Sequence, residues 1–150
     1  MKNISLPIRF GLVTGAVLIA YFLILALFNK TTNPAFSFVN AVITAFGIYE
    51  VIHIMKLKDA DVFTYGEGFK SGIITGFIAT LLFTLFFLFY ATEIKPDFLT
   101  KLFETVHGNF KIGIGEVVFI VAIMGFATSV VSTLAVMQWF KKSQNITENK

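Results

Sequence analysis

The sequence YGEGFKSGIITGFIATLLFTLFFLFYAT, residues 65–92, decides the fold of this chain. Its last 22 residues, from Ser71 to Thr92, carry no charge. As a helix, such a segment rises about 33 Å, which is enough to cross a hydrocarbon core of ~30 Å. The whole chain is 56% hydrophobic and only 14% charged, against about 25% charged in soluble domains. We therefore predict a membrane-spanning helix here and a membrane protein overall.

The start of this helix carries a stripe of small residues. Gly68, Gly72 and Gly76 follow one another at four-residue spacing, which places them on one helix face. Helices in a bilayer associate by close packing, and small side chains mark their contacts. We predict that this stripe is an internal packing seam, with a dimerisation face as the alternative. Gly11 and Gly15 on the first span are its predicted partner.

The same criteria predict three more spans. They lie at about 8–28, 35–55 and 117–140, and the span described above covers about 70–92. A small face recurs on the last span at Gly125 and Ser129. On the second span, Asn40 and Thr44 share one face, and we expect them to hydrogen-bond to another helix.

The predicted fold class is therefore all-α, an integral membrane four-helix bundle. Residues 1–142 form this single transmembrane domain, and residues 143–150 form a polar C-terminal tail. Between the last two spans, residues 96–107 predict a short amphipathic helix, because their apolar side chains recur at three- and four-residue spacing. Such a helix is expected to lie in the membrane surface.

The basic residues predict the orientation. Eight of the 12 Lys and Arg residues lie on the side of the two termini, and four lie on the other side. Cytoplasmic segments carry the excess of basic residues, so both termini are expected in the cytoplasm. Trp139, followed by Lys141 and Lys142, is typical of an aromatic and basic membrane anchor. At the other end of the chain, the Ser5 hydroxyl is expected to cap the first helix.

The second span also carries ionisable residues, because Glu50 and His53 form a Glu-x-x-His pair near its end. Di-iron bundles use this spacing but need a second such motif, so we expect no metal and no other cofactor. Glu67 and Lys70 open the next helix nearby. The favoured interpretation is a structural clamp near the headgroups, in which Glu50 pairs with His53, or with Lys70 and Ser71 on the next helix. The alternatives are an ion or proton pathway, because ionisable groups inside membranes usually face a cavity, and a ligand pocket.

The chain also resembles a known family at particular residues. These are a glycine-bearing first span, a second span that ends in basic residues, the entry YGEGFKSG at 65–72 and the segment IKPDFL at 94–99. They resemble the four-span inner-membrane proteins of the Bacteroidota that are grouped as domain of unknown function 4199. The resemblance covers nearly the whole chain and implies a four-span fold in the inner membrane. It implies no substrate and no catalytic residue.

No sequence pattern indicates an enzyme. The chain has no Cys and no Ser-His-Asp, phosphate-loop or zinc motif, and its basic residues form no patch that indicates nucleic-acid binding. We expect a small inner-membrane protein with a structural or accessory role in a membrane assembly. Its expected partners are the lipid bilayer and other membrane proteins or a second copy of itself. The alternative is a small oligomeric transporter or channel that uses Glu50 in an ion or proton pathway.

Overall fold

The computed structural model describes residues 5–31, 33–58, 63–106 and 112–140. Over these ranges the helices are α1 at Leu6–Leu27, α2 at Pro34–Lys58, α3 at Tyr65–Phe89, α4 at Phe98–Val106 and α5 at Ile114–Phe140. A π-helical turn, Tyr90–Ile94, continues α3. The predicted anchors Lys141 and Lys142 and the tail at 143–150 lie outside the described residues.

Four of these helices are long and apolar enough to cross a membrane. They are α1, α2, α5, and α3 together with its π-helical turn, and they agree with the predicted spans to within a few residues. The predicted all-α membrane bundle is confirmed. α2 and α3 each pack against the other three long helices, and the most extensive contacts are those of α3 with α1 and α5.

The small stripe of α3 packs against α5 in an antiparallel register. Gly68 faces Met137, Gly72 faces Thr133, Gly76 faces Ser129, and Thr80 faces Gly125. Each four-residue step along α3 matches a four-residue step back along α5, so the contact is continuous over several turns. A methyl group on Gly72 would lie only 2.6 Å from Thr133 Cγ2. Side chains in this seam would therefore push the two helices apart.

The predicted pairing of the two glycine motifs is wrong. Gly11 and Gly15 of α1 pack on a different face of α3, against Ile78 and Leu82. The physical reason is that glycines on a helix form a groove, and a groove accepts a ridge of side chains better than a second groove. Each glycine motif in this bundle consequently faces a helix surface that carries side chains.

α2 completes the bundle at the end nearest the connection to α3. Its Ile48, Val51 and Ile52 are fully buried there. Together with Met137 of α5 they form one apolar cluster. Through this cluster α2 packs against α5 in that half of the bundle.

The opposite end is filled by aromatic rings. Phe22 of α1 makes edge-to-face contacts with Phe87, Tyr90 and Phe98, at centroid distances of 6.0, 4.9 and 6.1 Å. Phe98 is the first residue of α4 and is only 6% exposed. The predicted amphipathic helix is therefore present, and its apolar face packs on the bundle.

Local sequence explains where α3 and α1 begin. Thr64 Oγ1 accepts a hydrogen bond from Glu67 N (3.3 Å), and Glu67 Oε2 accepts one from Thr64 N (3.1 Å). This reciprocal capping box satisfies two free N–H groups at the start of α3. At α1 the Ser5 hydroxyl makes no capping bond, so that prediction is wrong. Pro7, two residues on, has no N–H to donate to it, and the backbone carbonyl of Ser5 accepts the next N–H instead.

Candidate functional site

Of the predicted polar site, Glu50 and His53 lie at the end of α2 nearest the connection to α3. The His53 ring stacks on Tyr49 and Phe140, with centroid distances of 5.6 and 6.2 Å. Lys56 Nζ lies over the face of the Phe140 ring, 5.1 Å from its centroid. Aromatic stacking and a cation–π contact therefore hold these side chains and join α2 to the end of α5.

The structure does not bring the four predicted site residues together. Glu50 is half-buried and forms no ion pair with any described residue. Glu67 is exposed and caps α3, and Lys70 is exposed one turn further on. The predicted clamp between Glu50 and His53 or Lys70 is not formed, since the His53 ring is engaged by aromatic neighbours. In the described ranges, no three His, Asp or Glu side chains lie close enough together to hold a metal ion.

Hydroxyl groups line the buried helix contacts. Thr133 Oγ1 donates to the carbonyl of Ser129 at 2.7 Å, and Ser129 Oγ donates to the carbonyl of Gly125 at 2.8 Å. Thr75 Oγ1 of α3 donates to the carbonyl of Pro7 on α1 at 3.1 Å. Bonds to the preceding turn of the same helix let a hydroxyl face a neighbouring helix without leaving its donor unsatisfied.

A cleft opens between α2 and α5 at the end of the bundle that carries Lys30. Its volume is about 530 Å³, within the ~300–1,000 Å³ typical of small-molecule sites. Residues of α1 and α3 also line it, as do Phe98, Leu102 and Phe103 of α4. No charged side chain lines it in the described part of the chain.

The two walls of this cleft differ in chemistry. The α2 wall carries a stripe of uncharged polar side chains, Asn33, Ser37, Asn40 and Thr44. The α5 wall is mainly apolar, and its Ile120 and Met124 are 48% and 62% exposed. The cleft therefore opens sideways between the two helices, toward the surroundings of the bundle.

Asn40 is the polar residue of the cleft whose hydrogen bonding is incomplete. Its Oδ1 atom and Thr84 Oγ1 are the buried side-chain oxygens without a partner among the described residues. Thr44 does not reach another helix as predicted, because its hydroxyl donates to the backbone carbonyl of Asn40 at 2.9 Å. A Thr hydroxyl inside a helix can always reach the carbonyl of the preceding turn, and this local bond competes with one to a neighbouring helix.

The chain matches one family model, described as "Protein of unknown function (DUF4199)", over residues 9–138. It belongs to the DUF4199 family. The predicted membership of the family grouped as domain of unknown function 4199 is thereby confirmed. The DUF4199 match extends from the first turn of α1 nearly to the end of α5, so it includes all four spans, α4 and the cleft. No curated protein and no solved structure matches the chain.

In this DUF4199 protein, sequence reasoning missed the cleft and the capping box. The signal for the capping box is Thr64-x-x-Glu67, which marks a helix start. The signal for the polar wall is the spacing of Asn33, Ser37 and Asn40, which places them on one face of α2. No local signal marks the opposing wall, because the apolar residues of α5 look like any lipid-facing residues.

Proposed function

We propose that this DUF4199 protein is a structural or accessory component of a membrane assembly. The observation that supports this most directly is the chemistry of its helix contacts. Among the described residues, every buried polar side chain belongs to Thr or Ser. Such contacts hold helices together without placing charged groups along a path, and intramembrane charges are the usual mark of ion and proton pathways. The bundle interior therefore suits a scaffold better than a pump.

The proposed location is the bacterial inner membrane, with both termini in the cytoplasm. The excess of basic residues, eight on the side of the termini against four on the other side, supports this orientation. Trp139 near the end of α5 is 81% exposed, as expected of an aromatic side chain at a membrane interface. Such an anchor supports a span that ends at the membrane interface near Trp139.

The outward faces of the spans offer apolar surface to lipids and to partner helices. Phe38 of α2 and Phe119 of α5 are 74% and 64% exposed. Large apolar side chains exposed together mark membrane or protein contacts. The proposed partners are therefore the lipid bilayer and other membrane proteins or a second copy of this chain.

Photo-crosslinking in native membranes tests the accessory role. A photoreactive phenylalanine analogue at Phe38 or Phe119 is expected to give a discrete protein adduct, either with a partner or with a second copy. The matched control is the same analogue at Phe22, which is only 7% exposed and should give no intermolecular adduct. Adducts with lipid alone at both exposed positions, together with a purified protein that runs as a monomer, would overturn the proposal.

One observation favours the transporter or channel alternative. Glu50 is a half-buried carboxyl group within a span, and it has no ion-pair partner among the described residues. An ionisable residue inside a membrane is a functional hypothesis by default. Transport predicts that Glu50→Gln abolishes pH-dependent flux in liposomes while the fold survives. The accessory role predicts no flux in either the wild type or the variant.

A further inference from the structure

We propose that the cleft between α2 and α5 binds one acyl chain of an anionic phospholipid, and that Lys30 pairs with the headgroup phosphate. The depth of the cleft is the first argument. From Asn33 to Thr44 the polar wall extends about 16 Å along α2. This is roughly half of a hydrocarbon core of ~30 Å. The cleft therefore has the depth of one leaflet, which is the depth that one acyl chain occupies.

The direction of the opening is the second argument. The cleft opens between two spans, past the exposed side chains of Ile120 and Met124. In a bilayer these side chains face lipid tails, so lipid is the molecule that meets the opening.

The shape of the cleft favours a single chain over a helix from another protein. Phe98, Leu102 and Phe103 of α4 line the cleft, and Phe98 is anchored in the aromatic cluster with Phe22 and Phe87. A helix is about 10–12 Å wide with its side chains, whereas an acyl chain carries no side chains and is much narrower. A cleft of about 530 Å³ therefore suits an acyl chain better than a helix.

The basic residue Lys30 at the mouth of the cleft favours an anionic headgroup. Lys30 Nζ lies 5.7 Å from the centroid of the Phe36 ring, and Phe36 lines the cleft. Basic residues at the membrane surface attract anionic lipids. Next to this cation, Asn33 and Ser37 offer uncharged donors at the level where a phospholipid carries its ester carbonyls. One cation and uncharged donors therefore lie at the mouth, and below them the residues of α1, α3 and α5 that line the cleft are mainly apolar. This order matches the order of groups along an anionic phospholipid.

Native mass spectrometry of the full-length protein in a mild detergent tests the headgroup. The probes are dioleoyl phosphatidylglycerol and dioleoyl phosphatidylcholine, titrated separately. We expect one bound lipid and a preference of about fivefold for phosphatidylglycerol, the size expected for one basic residue at a lipid surface. Lys30→Gln should remove this preference. Lys58→Gln, at the other end of α2, is the control and should keep it.

A cleft-filling variant tests the acyl site itself. Ala41 lines the cleft, and Ala41→Phe should weaken binding of both lipids by about tenfold or more, a change that a titration resolves readily. Ala127→Phe, on the exposed face of α5, is the matched control and should bind lipid like the wild type. If Ala41→Phe does not fold, Ser37→Trp at the mouth replaces it.

Three results would overturn the proposal. The first is a folded cleft-filling variant that binds phosphatidylglycerol as well as the wild type does. The second is equal loss of binding in Ala127→Phe, which would indicate lipid held over the whole surface. The third is loss of a dimer in Ala41→Phe, which would make a second copy of the chain the occupant.

Discussion

At Gly72 the backbones of α3 and α5 approach so closely that a methyl group would lie 2.6 Å from Thr133 Cγ2 and 3.2 Å from Ile48 Cγ2. Gly72→Leu is therefore expected to lower the free energy of unfolding by ~1–3 kcal/mol through overpacking. The melting temperature in detergent measures this effect.

Gly66→Leu is the matched control for this prediction. Nothing lies within 4 Å of a side chain built at Gly66, and Leu is a better helix former than Gly. Its melting temperature should equal or slightly exceed that of the wild type. If Gly72→Leu also melted like the wild type, the close contact between α3 and α5 would be refuted.

Two substitutions at Glu67 separate its role as a helix cap from any role of its negative charge. Its carboxylate accepts a hydrogen bond from Thr64 N, and the amide oxygen of Gln can accept the same bond. We expect Glu67→Ala to lower the free energy of unfolding by ~0.3–1.5 kcal/mol, whereas Glu67→Gln should melt like the wild type. An equal loss of stability in both variants would show that the charge, not the cap, is what matters.

At the scale of elements, α4 depends on Phe98 for its attachment to the bundle. Phe98 contacts Phe22 and Phe87 at centroid distances of 6.1 and 5.8 Å. Replacing a buried Phe with Ala costs ~3–5 kcal/mol in protein cores. We expect Phe98→Ala to lower the melting temperature and to increase protease cleavage within α4.

The control for α4 is Ile94→Ala, because Ile94 is 50% exposed and lies in the π-helical turn just before this helix. Its melting temperature and cleavage pattern should stay close to those of the wild type. Equal effects of the two substitutions would mean that α4 is not held by the aromatic cluster.

At the scale of the whole molecule, the orientation in the membrane can be measured directly. The chain has no Cys, so a single introduced Cys is the one thiol in the protein that a reagent can label. Gly66 lies at the start of α3, and Thr100 lies on α4, which follows the other end of α3. The two introduced Cys residues are therefore expected on opposite sides of the membrane. We expect an impermeant thiol reagent to label Thr100→Cys in intact spheroplasts, and to label Gly66→Cys only after the membrane is disrupted. The reverse pattern would place both termini outside the cytoplasm.

The sequence by itself determined the helical class, the four spans and the family. Runs of about 20 apolar residues can satisfy their backbone groups within a bilayer only as helices, so the segment from Ser71 to Thr92 left no alternative. Four-residue spacing likewise placed Gly68, Gly72 and Gly76 on one face, because the period of the helix is a local property.

Only the tertiary structure decided which faces meet. Hydropathy does not rank one apolar face above another, so it does not show that Gly11 packs against Ile78 and not against the α3 stripe. The predicted ion pair of Glu50 with His53 is wrong for a different reason, because the His53 ring stacks on Tyr49 and Phe140. The cleft arises because α2 meets α5 at Ile48 and leaves a gap beside Asn40. That gap depends on the angle at which the two helices cross. The crossing angle is set by the side-chain ridges and grooves of both helices together. A single stretch of sequence contains only one of the two surfaces.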